Sequence, residues 1–236
     1  TPNQNFVLSG VESGGSQVSG STGRSSTFAG IKLITGTTND DRSVISPRRG
    51  NTELNAGINS SAFASVLFGT ENKIEYSAAI STSGSIADAS FWSGLKLTET
   101  GVYATDANQA YFLYSAADDQ GALTTNGNLH FVYSIANVDY VTNLGIVVEA
   151  NTVYRIKIVF DENRQISISV NNIKYGLTTT PTSTTTGGLT QSVATTKSLA
   201  MTNDIDLLPF TGIQTLTTSS RGMQIGYIKL SRDLYE

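Results

Sequence analysis

Alternation of apolar and polar residues is the feature that most constrains this chain. In Val153–Phe160 every second side chain is large and apolar, while Arg155 and Lys157 lie between them. Side chains of a β-strand point alternately to the two faces of a sheet, so this pattern predicts a strand with one packed face. Similar stretches return about every ten residues with turn residues between them. The chain is therefore predicted to be all-β, folded as a two-sheet antiparallel β-sandwich.

A central strand is predicted at residues 91–98, which contain the only Trp of the chain. Its apolar residues point to one face, while Trp92 and Lys96 point to the other. If the predicted strands share one sheet, an aromatic platform with charged neighbours suits binding of a sugar or another protein. Alternatively, Trp92 is covered by the Thr-rich stretch 178–196 or by the second sheet. The predicted ligand or subunit contacts are Trp92, Glu75, Lys96, His130 and Arg155.

Length and glycine content predict the domain organisation. The chain has 236 residues, which suits one large β domain. Residues 1–30 are rich in Gly and Ser and have little to bury, so they are predicted to form a flexible N-terminal arm. Residues 31–236 are predicted to be a single β-sandwich domain. A short helical turn is predicted near residues 202–208, ended by Pro209.

Composition excludes several function classes. Charged residues make up 14 % of the chain and the net charge is −4. The sequence therefore lacks the basic stripe that is typical of a nucleic-acid-binding protein. The absence of cysteine excludes disulfides, thiolate catalysis and Cys-ligated zinc. No apolar run approaches the ~20 residues that span a bilayer as a helix. We therefore expect neither a nucleic-acid partner nor a membrane partner.

Patterns for catalysis are few. A glycosidase needs two carboxylates, and the pattern Glu-x-Asp-x-x-Glu does not occur. A polysaccharide lyase usually brings His, Tyr, Arg and Gln or Asn together. The chain supplies such residue types, but His130 and Tyr133 fall on opposite faces of their predicted strand. The sequence therefore predicts no catalytic residues and no enzyme.

Acidic pairs in predicted loops are the candidates for metal binding. Ca²⁺ takes carboxylate and carbonyl oxygens from such loops. Asp is also an ordinary turn residue, and this interpretation is favoured. Asp118 and Asp119 are kept as candidate calcium ligands, and no other cofactor is expected.

Four stretches of the chain carry a resemblance when they are taken together. They are Phe-Trp-Ser-Gly-Leu-Lys-Leu at 91–97, Ala-Thr-Asp-Ala-Asn-Gln-Ala-Tyr-Phe at 104–112, the strand–turn–strand at 154–172 that ends in Ile-Ser-Val-Asn-Asn, and Ile-Gly-Tyr-Ile-Lys-Leu-Ser-Arg at 225–232. In order and character they resemble the concanavalin-A-like (laminin-G-like) jelly rolls of structural proteins from tailed bacteriophages. The resemblance implies a virion component, on the capsid or on a tail fibre.

This resemblance implies a non-catalytic structural protein at the virion surface, such as a capsid decoration protein, with contact to host glycans. Its expected partners are other copies of itself, in a homo-oligomer, and other virion proteins. One alternative is a tail-fibre domain that recognises a host saccharide. A further alternative is a glycan-cleaving enzyme, since this sandwich also occurs in such enzymes.

Overall fold

The regular secondary structure of the described residues consists of β-strands, which form two antiparallel sheets. A computed structural model describes residues 6–11, 17–18, 23–24, 30–47, 69–97, 106–117, 127–181 and 195–233. Across these ranges there is no helix, and hence none long and apolar enough to cross a membrane. The two sheets pack face to face, so the predicted β-sandwich jelly roll is confirmed.

Within the described ranges, the larger sheet has eight strands and the smaller one has seven. In order across the larger sheet, they are β10 (Val138–Val147), β9 (Asn128–Ile135), β8 (Gln109–Ser115), β7 (Ala89–Lys96), β14 (Leu208–Thr215), β5 (Arg42–Pro47), β1 (Phe6–Val11) and β2 (Gln17–Val18). The smaller sheet has the order β13 (Ile173–Tyr175), β12 (Ile166–Val170), β11 (Val153–Phe160), β6 (Ile74–Ser83), β15 (Gly222–Arg232), β4 (Ile31–Ile34) and β3 (Gly23–Arg24).

The main core lies between the sheets and is built from the apolar positions of the alternating strands. Phe112 and Phe131, on neighbouring strands, meet edge to face with ring centroids 5.1 Å apart. One polar group inside this layer joins the two sheets. The Tyr76 hydroxyl, from the smaller sheet, lies 2.7 Å from Ser93 Oγ and 3.0 Å from Thr211 Oγ1 of the larger one. Burial raises the pKa of Tyr76 to about 12, so this phenol stays neutral and serves as a structural hydrogen-bonding group.

A second apolar cluster covers the opposite side of the larger sheet. Trp92 is completely buried there, so the central part of this sheet is packed on both faces. This is why β7 is buried along its whole length, although alternation alone predicts only one buried face. The members of this outer-face cluster are Val44, Trp92, Tyr111, Leu113, Val132, Val141 and Phe210.

The predicted helical turn near 202–208 is wrong, because residues 201–207 form bends and an isolated bridge from Asp206 to Gly69, and the central strand β14 begins at Leu208. Proline is normally kept out of central strands because it cannot donate to the ladder. Here β14 pairs with β5 only from Thr211 to Gln214, so Pro209 lies beyond that ladder. Because Pro209 has no partner on β5, its missing N–H removes no hydrogen bond between β14 and β5. The strand can therefore begin before the proline.

Residues of the predicted N-terminal arm contribute three of the strands. Phe6–Val11 pairs with β5, and Gly23–Arg24 pairs with β4. The division into an arm at 1–30 and a domain at 31–236 stays a prediction. Most of the Thr-rich stretch, residues 182–194, lies outside the described residues.

Candidate active site

The two sheets separate the residues that were predicted to share one face. Trp92, Lys96 and His130 lie in the larger sheet, whereas Glu75 and Arg155 lie on β6 and β11 of the smaller one. The prediction of one common site is therefore wrong for Glu75 and Arg155. Alternation assigns a side chain to a face of its own strand, but it does not say which strands are neighbours. Any ligand-contact role stays a prediction for each of the five residues.

Strand register places His130 in the middle of a row that crosses the outer face of the larger sheet. His130 is paired with Asn143 of β10 on one side and with Leu113 of β8 on the other. Leu113 is in turn paired with Trp92 of β7. Tyr111 precedes Leu113 by two residues and is therefore a diagonal neighbour of His130, at a typical Cα separation of about 7–8 Å. An imidazole, a phenol and a carboxamide thus share one face.

Backbone contacts define the tautomer of His130. Its Nδ1 lies 3.0 Å from the carbonyl oxygen of Asn128. A carbonyl oxygen accepts only, so Nδ1 carries the proton and donates it, and in the neutral ring the lone pair lies on Nε2. The ring is completely buried. His130 is therefore oriented to act as a base through Nε2.

The side chain of Asn143 is oriented by two donors. Its Oδ1 accepts a hydrogen bond from Asn128 Nδ2 at 3.1 Å and another from the N–H of Gly145 at 2.8 Å. The register between β9 and β10 shifts between Asn143 and Ile146, and Gly145 has a φ of +68°, as in a β-bulge. Bulges aim side chains and are over-represented beside active sites. With its oxygen engaged, Asn143 presents its amide N–H groups as donors, and it is only half-buried.

Two glycines make room for the large side chains of this face. A Cβ on Gly212 would lie 2.6 Å from the Trp92 indole, which stacks on Phe210 with ring centroids 5.6 Å apart. A Cβ on Gly94 would lie 2.4 Å from Tyr111 Cα. Larger residues at either position would displace the indole or the tyrosine strand, so the glycines position both aromatic groups.

A buried ion pair borders the outer-face cluster. Lys96 Nζ lies 3.7 Å from Asp106 Oδ2 and 4.8 Å from the centroid of the Phe210 ring. Both charged side chains are almost fully buried. Burial lowers the pKa of Lys96 to about 8, and the charge of Asp106 opposes part of this shift. The lysine is thus held in place by a carboxylate and an aromatic ring.

Tyr111 and Asn143 are the site residues that sequence reasoning missed. The tyrosine considered with His130 was Tyr133, which points into the core and donates its hydroxyl to the carbonyl oxygen of Thr178 at 2.6 Å. Burial raises the pKa of Tyr133, consistent with a neutral structural phenol. The missing signal was strand pairing: once β8 and β9 are neighbours, Tyr111 falls on the side of His130.

The described residues offer no cluster of three or more His, Asp or Glu side chains that could hold a metal ion. Asp118 and Asp119 lie outside the described ranges, so their role as calcium ligands stays a prediction.

The fluorescence of Trp92 reports directly on burial of the outer-face cluster. Because it is the only Trp and is 0 % exposed, we expect blue-shifted emission and a several-fold smaller acrylamide quenching constant than in the chain unfolded by guanidinium. Steady-state fluorescence of the folded and unfolded chain tests this. Quenching of equal strength in both states would contradict the packing of Trp92 on Phe210.

Comparison with known proteins bears on the fold. No protein-family model matches the sequence, and no curated protein matches it. Among solved structures, the family 7 alginate lyase A1-II′ in complex with substrate matches with a TM-score of 0.56 and 9 % identity, over 98 % of this chain and 94 % of that one. This chain shares its fold. An alginate lyase from Pseudomonas aeruginosa matches with a TM-score of 0.53 and 9 % identity, over 92 % and 87 % of the two chains. Another family 7 alginate lyase matches with a TM-score of 0.53 and 9 % identity, over 98 % of this chain and 95 % of that one.

These matches correct the function predicted from the sequence. The concanavalin-A-like sandwich is supported, but the assignment to tailed-phage structural proteins is not. The prediction of a non-catalytic virion structural protein is wrong, because the alginate lyases compared above share the fold over nearly their whole length. The prediction that the chain is not an enzyme is wrong on the same finding. Location at a virion surface and homo-oligomer formation stay predictions.

Proposed function

We propose that this chain is a polysaccharide lyase that cleaves a uronate-containing glycan by β-elimination. The observation that carries the proposal is the grouping of His130, Tyr111 and Asn143 on one face of the larger sheet. The shared fold with alginate lyases supports it, at an identity where only the fold can be compared. One solved form of such a lyase carries substitutions of a histidine and a tyrosine and is in complex with substrate.

The three side chains supply what β-elimination needs. The proton at C5 of a uronate is acidified when its carboxylate is neutralised, and the N–H groups of Asn143 are donors for that carboxylate. His130 Nε2 takes the C5 proton. The C4–O4 bond then breaks as the C4=C5 double bond forms, and the leaving O4 takes the proton of the Tyr111 hydroxyl. Atoms and charges balance, and no co-reactant is required.

Access to His130 is from the side of β10. Among the described residues that strand is the edge of the larger sheet, and Asn143 on it is half-buried while His130 of the next strand is fully buried. A sugar that approaches from this side therefore meets the Asn143 amide before it reaches His130. Exclusion of water around the reacting atoms strengthens the electrostatic interactions that the mechanism uses.

A substrate screen tests the proposal. We expect the chain to release unsaturated products, detected by their ultraviolet absorbance, from at least one of polymannuronate, polyguluronate, polygalacturonate and polyglucuronate. Neutral glucans of the same length have no carboxylate to acidify C5 and are expected to stay intact. Absence of unsaturated product from all four uronates, at high enzyme concentration and with the circular dichroism spectrum of a folded β protein, would overturn the proposal.

A further inference from the structure

The outer face of the smaller sheet, on the opposite side of the sandwich from His130, is strongly basic. Alternate residues of its strands pack into the core, so the residues between them point outward. Five cationic side chains occupy such positions, and among the described residues of these strands the one carboxylate on this face is Glu75. We call these five cations the basic face. They are Lys32, Arg155, Lys157, Lys174 and Lys229.

Three of these lysines form a straight row across five strands. Lys229 of β15 is paired with Ser77 of β6, and Ser77 with Lys157 of β11. Lys157 is paired with Ser169 of β12, and Ser169 with Lys174 of β13. Neighbouring strands lie about 4.8 Å apart, so lysines on alternate strands are spaced by roughly 9–10 Å. This spacing is comparable to the length of one disaccharide unit in a 1,4-linked glycan.

Most of these charges are not neutralised locally. Lys157 Nζ makes an ion pair with Glu75 at 2.7 Å. Among the described residues, neither Arg155 nor Lys174 nor Lys229 makes a salt bridge, and all three are exposed. The chain as a whole carries a net charge of −4, so this concentration of cations on one face runs against its overall composition. A surface of this kind attracts an anionic polymer.

We propose that the basic face is a second glycan-binding surface, which holds a carboxylated polysaccharide across the strands of the smaller sheet. Carboxylates on every second sugar pair with the lysine row, and the hydroxyls of Ser77 and Ser169 between the lysines bond to sugar hydroxyls. The exposed ring of Tyr227 offers a flat stacking surface in the neighbouring row, where Ala79 separates it from Arg155. The assignment to a uronate polymer rests on the proposed lyase function. Binding here would raise the local concentration of polymer for the other face.

Affinity electrophoresis in gels that contain the four uronates of the screen, or a neutral glucan, tests this surface. The face variant is Lys174→Gln/Lys229→Gln, and the matched control is Lys73→Gln/Lys197→Gln. The control removes two exposed lysines elsewhere, whose partners are Asp233 and Asp161, and changes the net charge equally. We expect wild type and control to be retarded alike in a uronate gel, and the face variant to bind about tenfold more weakly. None of the proteins should be retarded in the neutral gel.

Different results would overturn the lyase proposal and the proposal of a second glycan-binding surface. His130→Asn is expected to lose cleavage but keep its retardation, while the face variant keeps cleavage of uronate oligosaccharides too short to span the lysine row. Equal retardation of the face variant and its control would overturn the second surface, as would a wild type that is not retarded in any uronate gel. Equal binding to DNA or to anionic lipid vesicles would show general attraction to polyanions and overturn the assignment to uronates.

Discussion

His130→Asn is expected to lower the rate of β-elimination by about 10²–10⁴-fold, because a positioned general base contributes about that much. The asparagine amide can still donate to the carbonyl of Asn128, as Nδ1 of the histidine does, while no base remains in place of Nε2. The measurement is kcat/KM on the uronate that the screen identifies. A melting temperature close to wild type would show that the fold is intact. Cleavage at the wild-type rate by the folded variant would exclude His130 as the base.

The same chemistry predicts that Tyr111→Phe lowers kcat/KM by about 10²-fold or more, because it removes the proposed proton donor and keeps the ring. Tyr114→Phe is the matched control, because Tyr114 lies on the same strand but faces the core, where its hydroxyl donates to the carbonyl of Ile86 at 3.1 Å. The control is expected to cost about 1 kcal/mol in stability and to leave kcat/KM unchanged. Equal losses in both variants would assign Tyr111 a packing role.

Local features of the fold could be predicted because they depend on neighbouring residues. The hairpin of β11 and β12 follows from alternation on both sides of a polar turn. In that turn Asp161 Oδ1 accepts from the N–H groups of Asn163 and Gln165, both at 2.9 Å. Similarly, the predicted strand at 91–98 overlaps β7. Period-two patterning and turn chemistry act over a few residues, so a single sequence contains them.

The site could not be predicted because it depends on which strands are neighbours. β7 lies between β8, which follows it closely, and β14, which comes much later in the chain. That second pairing places Phe210 and Gly212 against Trp92, whereas the sequence analysis predicted only a helical turn ended by Pro209 in this part of the chain. Glu75 was grouped with Trp92 on the condition that their strands share one sheet, but β6 lies in the smaller sheet. Alternation states the face of each residue, whereas the partner strand is decided by long-range packing.

The second large effect is on stability. Lys96→Met is expected to lower the free energy of unfolding by about 3–5 kcal/mol, because it removes the N–H donors that Lys96, charged or neutral, offers to the buried carboxylate of Asp106. Lys96→Met/Asp106→Leu removes both charges and is expected to recover most of that loss. Lys73→Met is the control, since its pair with Asp233 at 3.3 Å is exposed and should contribute less than about 1 kcal/mol. Urea unfolding followed by circular dichroism gives all four values. A loss for Lys96→Met no larger than for the control would contradict the buried pair.

The pH dependence of the same pair has a definite sign. Lys96 has a pKa of about 8 in the folded chain, against an ordinary value of 10.5, so between these values the unfolded chain binds more protons. The free energy of unfolding therefore rises with pH in this window, by about 2–3 kcal/mol between pH 8 and 10. Below pH 8 both states carry the ammonium, and the cost of burying it is present in full. Lys96→Met lacks this rise, and effects of tyrosine ionisation cancel in the difference between the two proteins. A constant difference between wild type and variant from pH 7 to 10 would show that Lys96 is not held in a desolvated site.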